Sequence, residues 1–274
     1  MSSNRKSIEA QADTKAGRGF NRKKSRPKSI APRQPGFAPV TLSEQEGVRY
    51  LHFGTEWVQG AMRIRKPDWI ELEYVQQMMS WMLFNPVPGN IVQLGLGSGS
   101  LTKFCYRQFP GVRVTAVELN PSVIAVCHSM FALPPEDGRL SLLNMDADDF
   151  IRDDRHSGAI DALQVDLYDA AARGPVLDTS AFYTACRDSL SDNGVMTVNL
   201  FGDHPGYARN LKAMRYAFDH VITLPEVHAG NVVALAFRHP VEPDFPALYE
   251  RAADITAATG LPARSWVNGI KSHF

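Results

Sequence analysis

The feature that most constrains this chain is a glycine-rich turn between two apolar runs. Residues 91–94 (IVQL) form the first run, and the turn GLGSGS follows at residues 95–100. A helical segment comes next, and the second apolar run, residues 112–117, ends in the carboxylate of Glu118. This order of strand, turn, helix, strand and acid predicts the first half of a nucleotide-binding α/β unit.

The spacing within this unit favours a nucleoside ligand. Glycines in the turn let the backbone approach a ligand closely, and Glu118, about 20 residues further on, can accept hydrogen bonds from both ribose hydroxyls. Ser100 stands where a dinucleotide-binding turn would carry its third glycine. The pattern therefore favours a nucleoside such as S-adenosylmethionine over a dinucleotide. A glycine-rich turn without any ligand is the alternative.

Length and element order predict the fold class. The 274 residues suffice for one large α/β domain with small additions. Five alternations of strand and helix, followed by a pair of strands, predict a Rossmann-like, mainly parallel sheet of the S-adenosylmethionine methyltransferase type with helices on both faces. A short β-hairpin at residues 48–64 precedes it. The predicted regions are a disordered basic tail (1–36), a β-hairpin region (37–66), a catalytic domain (67–262) and a C-terminal tail (263–274).

The formal net charge of zero conceals an uneven distribution. Residues 1–36 hold ten Lys or Arg and two acids, so they carry +8, and the remainder carries −8. We interpret this tail as solubilising rather than as an arm for nucleic acid, because no aromatic residues are interleaved with its charges. The three cysteines lack metal-ligand spacing and no apolar run is long enough for a membrane span. We therefore expect a cytoplasmic protein with no metal.

Acids follow three successive strands of the predicted sheet. Glu118 and Asp146 end the second and third strands, and Asp166 ends the fourth, with Asp169 three residues on. Ligands of open α/β sheets bind outside the carboxyl ends of the strands. We expect the ribose on Glu118 and the adenine amino group near Asp146, although Asp146 is equally placed to cap the following helix. The sequence has no Ser-His-Asp order and no H-E-x-x-H motif, which disfavours hydrolase and metalloenzyme functions.

Over about residues 48–237 the chain resembles the spermidine synthase (polyamine aminopropyltransferase) family. The turn GLGSGS stands where the family has GGGDGG, and VELN stands where it has V-E-I-D. The family's D-S-S-D is matched at both acids by Asp166-Leu167-Tyr168-Asp169. The further matches are Gln59 in WVQGAM, Tyr74 in DWIELEYVQQMM, Asp146, Ala147 and Phe150 in MDADDF, and, in order, Gly174-Pro175, Phe182-Tyr183, Leu190 and Gly194.

The resemblance implies an enzyme that moves an aminopropyl group from decarboxylated S-adenosylmethionine to an amine such as putrescine. It implies that Asp166 is the base that takes the proton of the attacking amine, that Asp169 anchors the substrate amine, and that Tyr74 lines the channel. It also implies a homodimer as one arrangement. The residues expected at the cofactor are Gln59, Gly95, Gly97, Ser98, Gly99, Glu118, Asp146 and Ala147.

Departures from the family pattern leave other functions open. Ser98 replaces the acid that holds the cofactor's amine in the family, which predicts relaxed discrimination between decarboxylated and intact S-adenosylmethionine. Leu167 and Tyr168 replace two serines and would narrow the pocket. The alternatives are an S-adenosylmethionine-dependent methyltransferase and a non-catalytic nucleoside-binding protein, and a nucleic-acid-binding module rests on the tail alone. The acceptor is not specified by the sequence.

Overall fold

The structure is a computed structural model that describes residues 36–169, 174–227 and 230–274. The basic tail predicted for residues 1–36 lies outside the described residues, apart from Gly36. No helix in the described part of the chain is long and apolar enough to cross a membrane.

A seven-stranded sheet forms the centre of the fold. Its strands lie in the order β6-β5-β4-β7-β8-β10-β9. Neighbouring strands from β6 to β8 are parallel, and β10 is antiparallel to both β8 and β9. Chain order therefore reverses between β4 and β7, as in doubly wound nucleotide-binding sheets. The strands are β4 (Asn90–Leu94), β5 (Arg113–Val117), β6 (Leu140–Leu143), β7 (Ile160–Val165), β8 (Leu190–Phe201), β9 (His220–Thr223) and β10 (Asn231–Phe237).

Helices alternate with these strands, as predicted. Proline and capping residues set several of the boundaries: Asn120 caps α3 ahead of Pro121, Thr179 caps α5, and Gly260 ends α7 with a φ of 77°. The α-helices are α1 (Glu73–Gln77), α2 (Ser100–Gln108), α3 (Pro121–Met130), α4 (Ala147–Ile151), α5 (Ser180–Ser189), α6 (Tyr207–Ala217), α7 (Phe245–Thr259) and α8 (Ala263–Lys271), and two 3₁₀ helices cover Met78–Leu83 and Asp154–His156.

The predicted N-terminal hairpin is part of a three-stranded antiparallel sheet. Its expected strands are β2 (Val48–Phe53) and β3 (Gly60–Arg63), and a further strand, β1 (Val40–Gln45), pairs with the other edge of β2. The prediction missed β1 because its sequence, VTLSEQ, is largely polar, and only Val40 and Leu42 are partly buried. Both side chains pack on the cluster that contains Leu51 and Phe131.

The helix expected to begin near Pro67 begins six residues later. Residues 66–69 form a turn in which the Trp69 amide donates to the Lys66 carbonyl at 3.0 Å. The side chain of Gln76 then donates to the Ile70 carbonyl at 2.8 Å, which holds the residues before α1 in a non-helical conformation. Residues 78–83 continue as a 3₁₀ helix whose side chains are all buried, which confirms the prediction that its methionines fill the core.

The C-terminal residues, expected as a tail, contain α8. Trp266, Val267 and Ile270 are buried on one face of this helix, within the same cluster as Trp81. The prediction missed α8 because the segment is only nine residues long, although Ala263, Trp266, Val267 and Ile270 recur at helical spacing. The packing makes α8 a part of the core on one face of the sheet.

Replacing Trp266 with alanine should lower the free energy of unfolding by about 3–5 kcal/mol, because it empties the volume of a fully buried aromatic side chain. Chemical denaturation of the two proteins measures this difference. The control is Ser265→Ala on the exposed face of α8, which should change stability by less than about 0.5 kcal/mol. Equal stability of the Trp266→Ala and native proteins would contradict a structural role for α8.

Candidate active site

A cavity of about 400 Å³ opens at the carboxyl ends of the parallel strands. Its walls come from the glycine turn after β4, the segments after β5, β6 and β7, the last residues of β8, the first residue of β10, the connection between β2 and β3, and α1. Eight of the eleven residues expected at the site line this cavity: Gln59, Tyr74, Gly95, Gly97, Glu118, Asp146, Ala147 and Asp166.

Two neighbouring strands hold the glycine turn against Asp166. The Asp166 amide donates to the Leu94 carbonyl at 2.9 Å, so the ends of β4 and β7 are joined directly. Gly95 has a φ of 89°, and a Cβ atom there would lie 2.1 Å from the Asp166 carbonyl oxygen. Only glycine fits such a contact, because side chains do not tolerate this φ or this distance.

Glu118 is held by the backbone around it. Its Oε2 accepts from the Leu96 amide in the glycine turn at 3.0 Å, and its Oε1 accepts from the Asn120 amide at 2.8 Å. Burial raises the pKa of the Glu118 carboxyl above its usual value, and the hydrogen bonds from backbone amides oppose this shift. A carboxylate fixed in this way at the end of β5 suits the two hydroxyls of a ribose.

Asp146 both caps a helix and lines the cavity. Its Oδ1 accepts from the Asp148 amide at 2.8 Å at the start of α4. Met145 and Ala147 lie beside it in the same cavity wall. Both roles foreseen for this residue are therefore compatible with its position.

Asp166 lies between two hydrogen-bond donors. Its Oδ1 accepts from the side-chain amide of Asn199 at 2.9 Å, and its Oδ2 lies 3.4 Å from the Tyr74 hydroxyl. Burial raises the pKa of Asp166, and these two hydrogen bonds lower it in part. The pKa of Tyr74 is well above its usual value, because of burial and then the neighbouring Asp166, so Tyr74 acts as a neutral donor. This arrangement orients the carboxylate towards the cavity.

Asn199 is a site residue that the sequence analysis missed. It lies in the buried part of β8, and its Oδ1 is buried without a hydrogen-bond partner among the described residues. A polar side chain in the otherwise apolar end of a central strand was the available signal, since such a residue needs partners there.

Three expected site residues do not line the cavity. The hydroxyl of Ser98 is buried and donates to the Ala61 carbonyl of β3 at 3.2 Å, and its role at the cofactor stays a prediction. The packing around Ser98 is close, since a Cβ atom at Gly60 would lie 2.7 Å from it. Gly99 gives the backbone its left-handed turn into α2. The main-chain carbonyl of Asp169 accepts a hydrogen bond from the side-chain amide of Gln59 at 3.3 Å.

The charged side chains in the described cavity wall all have the same sign. Four carboxylates, those of Glu56, Glu118, Asp146 and Asp166, line it, and no Lys, Arg or His does so among the described residues. A cleft lined by one sign of charge concentrates ligands of the opposite sign. The cavity is thus suited to a cationic nucleoside and a cationic amine.

Known proteins match the chain over most of its length. A polyamine aminopropyltransferase of Neisseria meningitidis is 32% identical over 246 residues, covering 89% of this chain and 93% of that protein. One of Chromobacterium violaceum is 33% identical over 244 residues, covering 88% and 93%. The chain belongs to the polyamine aminopropyltransferase family. It is therefore a transferase, as predicted. No family model matches the chain.

Solved structures support the fold. A probable spermidine synthase from Corynebacterium glutamicum has a TM-score of 0.66 at 18% identity, covering 84% of this chain and 91% of that one. A spermidine synthase in complex with the transition-state analogue AdoDATO has a TM-score of 0.62 at 16% identity, with 84% of each chain covered. Human methyltransferase-like protein 13 in complex with SAH has a TM-score of 0.57 at 21% identity, with 72% and 93% covered. The Rossmann-like prediction is confirmed.

Methylthioadenosine should raise the melting temperature of the native protein, and Glu118→Ala should abolish the rise, because the ribose loses its carboxylate. At a ligand concentration about 100 times the dissociation constant, binding stabilises by about 2.7 kcal/mol, which is several degrees. Thermal denaturation with and without ligand measures the effect.

The matched control is Asp149→Ala, which removes an exposed acid from α4 outside the cavity wall. It should retain the full rise. A melting curve of the native protein that stays unchanged at saturating ligand would disprove the nucleoside site.

Proposed function

We propose that this protein transfers the aminopropyl group of decarboxylated S-adenosylmethionine to a small diamine, with Asp166 as the base. The observation that carries the proposal is the position of Asp166 against the glycine turn, hydrogen-bonded to Tyr74 and Asn199, in a cavity whose charged side chains among the described residues are all carboxylates. The nucleoside would lie over Gly95 and Gly97.

The chemistry needs a neutral amine beside a cationic sulfur. The nitrogen lone pair attacks the propyl carbon attached to the sulfonium, the carbon–sulfur bond breaks, and its electron pair stays on sulfur as neutral methylthioadenosine. The new secondary ammonium gives its proton to Asp166. Burial raises the pKa of Asp166, which makes this carboxylate a better base. The Tyr74 hydroxyl and the Asn199 amide hold the carboxylate in position, and Asp169 orients Gln59 through its carbonyl.

Charge also supports the decarboxylated cofactor over the intact one. Intact S-adenosylmethionine adds a carboxylate, which would meet Asp166 or the other acids without any basic side chain in the described cavity wall. The decarboxylated form carries two positive charges and no negative one. Two of the similar structures were solved in complex with AdoDATO and with SAH, which supports a site for a ligand derived from S-adenosylmethionine.

Methyl transfer from intact S-adenosylmethionine is the second candidate. The observation that favours it is Ser98, a neutral residue at the position where the family pattern has an acid.

The limits of the hairpin region (37–66) and of the catalytic domain (67–262), and the homodimer, stay predictions.

Calorimetric titration should show that the native protein binds decarboxylated S-adenosylmethionine about tenfold or more tightly than the intact form, because the acids of the cavity wall repel the carboxylate of the intact form and bringing like charges together costs several kcal/mol. This reverses the relaxed discrimination expected from Ser98. The control Ser98→Ala should leave the ratio of affinities unchanged, because the Ser98 hydroxyl faces Ala61. Equal affinities in the native protein would favour methyl transfer.

Asp166→Asn should lower turnover with decarboxylated S-adenosylmethionine and 1,4-diaminobutane by about 10²-fold or more, because it removes the base but keeps the size of the side chain. In the native enzyme, kcat should fall as the pH drops through the pKa of Asp166, which burial places above its usual value. Steady-state kinetics across pH measure both effects.

Asp169→Asn is the matched control, since the Asp169 side chain does not line the cavity. It should lose less activity than Asp166→Asn and keep the pH dependence. Full activity of Asp166→Asn would remove Asp166 from the mechanism.

A further inference from the structure

The cavity has two chemically different ends. The ends of β4, β5 and β6 supply the glycine turn, Glu118 and Asp146, where the nucleoside would lie. On the other side of the switch point, the segment after β7 and the last residues of β8 would supply the acceptor end. Its wall is mainly apolar and includes Leu167, Tyr168, Leu177 and Phe201.

Tyr168 is fixed as part of this wall. Its hydroxyl donates to the main-chain carbonyl of Asn199 at 3.2 Å, so the side chain spans from the end of β7 to the end of β8. Its ring lies against Gly174, where a Cβ atom would come within 2.7 Å of the ring. Burial and then the charge of Asp166 raise the pKa of Tyr168 far above its usual value, so the phenol stays neutral and keeps its bond to Asn199.

The ring of Tyr168 lines the same cavity as the proposed nucleoside site. The whole cavity measures about 400 Å³, near the lower end of the range of roughly 300–1,000 Å³ for ligand pockets. A nucleoside with its aminopropyl group fills much of that volume. The acceptor must therefore fit between the cofactor, Asp166 and the ring of Tyr168, which lies only two residues after Asp166.

We infer that the ring of Tyr168 is the specificity-determining wall of the acceptor site, limiting this enzyme to short diamines. This inference rests on the proposed function, because it takes an amine acceptor for granted. The ring blocks extension of the acceptor chain past Asp166, while the carboxylate holds the attacking amine. Leu167 and Leu177 flank the hydrocarbon part of the acceptor.

A series of diamines of increasing length, from 1,3-diaminopropane to 1,6-diaminohexane, tests the inference. In the native enzyme, kcat/KM should peak at a short diamine and then fall with each added methylene. Tyr168→Ser should move the peak to a longer diamine, with a gain of about fourfold for each methylene that becomes buried. Tyr168→Phe is the matched control: it keeps the ring and removes only the bond to Asn199, so its peak should stay at the native length.

A binding measurement separates this inference from the proposed function. Calorimetric titration of the same diamines into the methylthioadenosine complex reports length preference without any turnover. If the native enzyme binds diamines but transfers nothing to them, the proposed function fails, and the shift of the affinity peak in Tyr168→Ser still decides the role of the ring. If no diamine binds the native complex, both proposals are overturned.

Two further outcomes would overturn the inference alone. One is a Tyr168→Ser profile that parallels the native profile in both assays. The other is a Tyr168→Phe profile that shifts as far as that of Tyr168→Ser, since the hydroxyl rather than the ring would then set the length. Folding of each variant is checked by its melting temperature with methylthioadenosine, and Tyr168→Leu replaces Tyr168→Ser if the serine variant does not fold.

Discussion

The contact between Gly95 and the backbone of Asp166 is the constraint on which the site depends. It occurs where the strand order reverses, so it places the nucleoside turn and the carboxylate of Asp166 on adjoining strand ends. The missing side chain at residue 95 allows this approach, and the bond from the Asp166 amide to the Leu94 carbonyl fixes it. The relative position of the glycine turn and Asp166 is therefore determined by the sheet itself.

The burial of the Glu118 and Asp166 carboxylates lowers the stability of the ligand-free fold. Burial raises the pKa of Glu118 and Asp166 in the folded state, so each stabilises the fold most when protonated, and that contribution is lost as the pH rises through the raised pKa. A cationic nucleoside and a cationic amine would offset the cost by pairing with the carboxylates. Ligand charge and fold stability are thus coupled in this enzyme, and the coupling favours the substrate with more positive charge.

Sequence patterns predicted the central sheet well, because each parallel strand is a short apolar run between clear turn signals and the acids come at the strand ends. Sequence patterns did not predict two short elements, β1 and α8, which are held in place by their packing. The polar strand β1 is held by pairing with β2, and α8 is held by Trp266 in the core. Asn199 was missed because its role depends on the neighbour of β7 in space, and spacing along the chain does not show which strand that is.

Ser98 occupies a position of the family pattern and is held there by a contact within the fold. Its place in the glycine turn corresponds to the acid of the family pattern, yet its hydroxyl bonds to the Ala61 carbonyl because the three-stranded sheet packs directly on the turn at Gly60. The side chain at position 98 therefore contributes to the contact between the two sheets more directly than to the choice of cofactor. The choice between decarboxylated and intact cofactor then depends on the charge of the whole cavity wall, in which Asp166 and the strand-end acids meet no basic side chain among the described residues. In the proposed reaction, the acids of the cavity wall keep that field negative without an acid at residue 98.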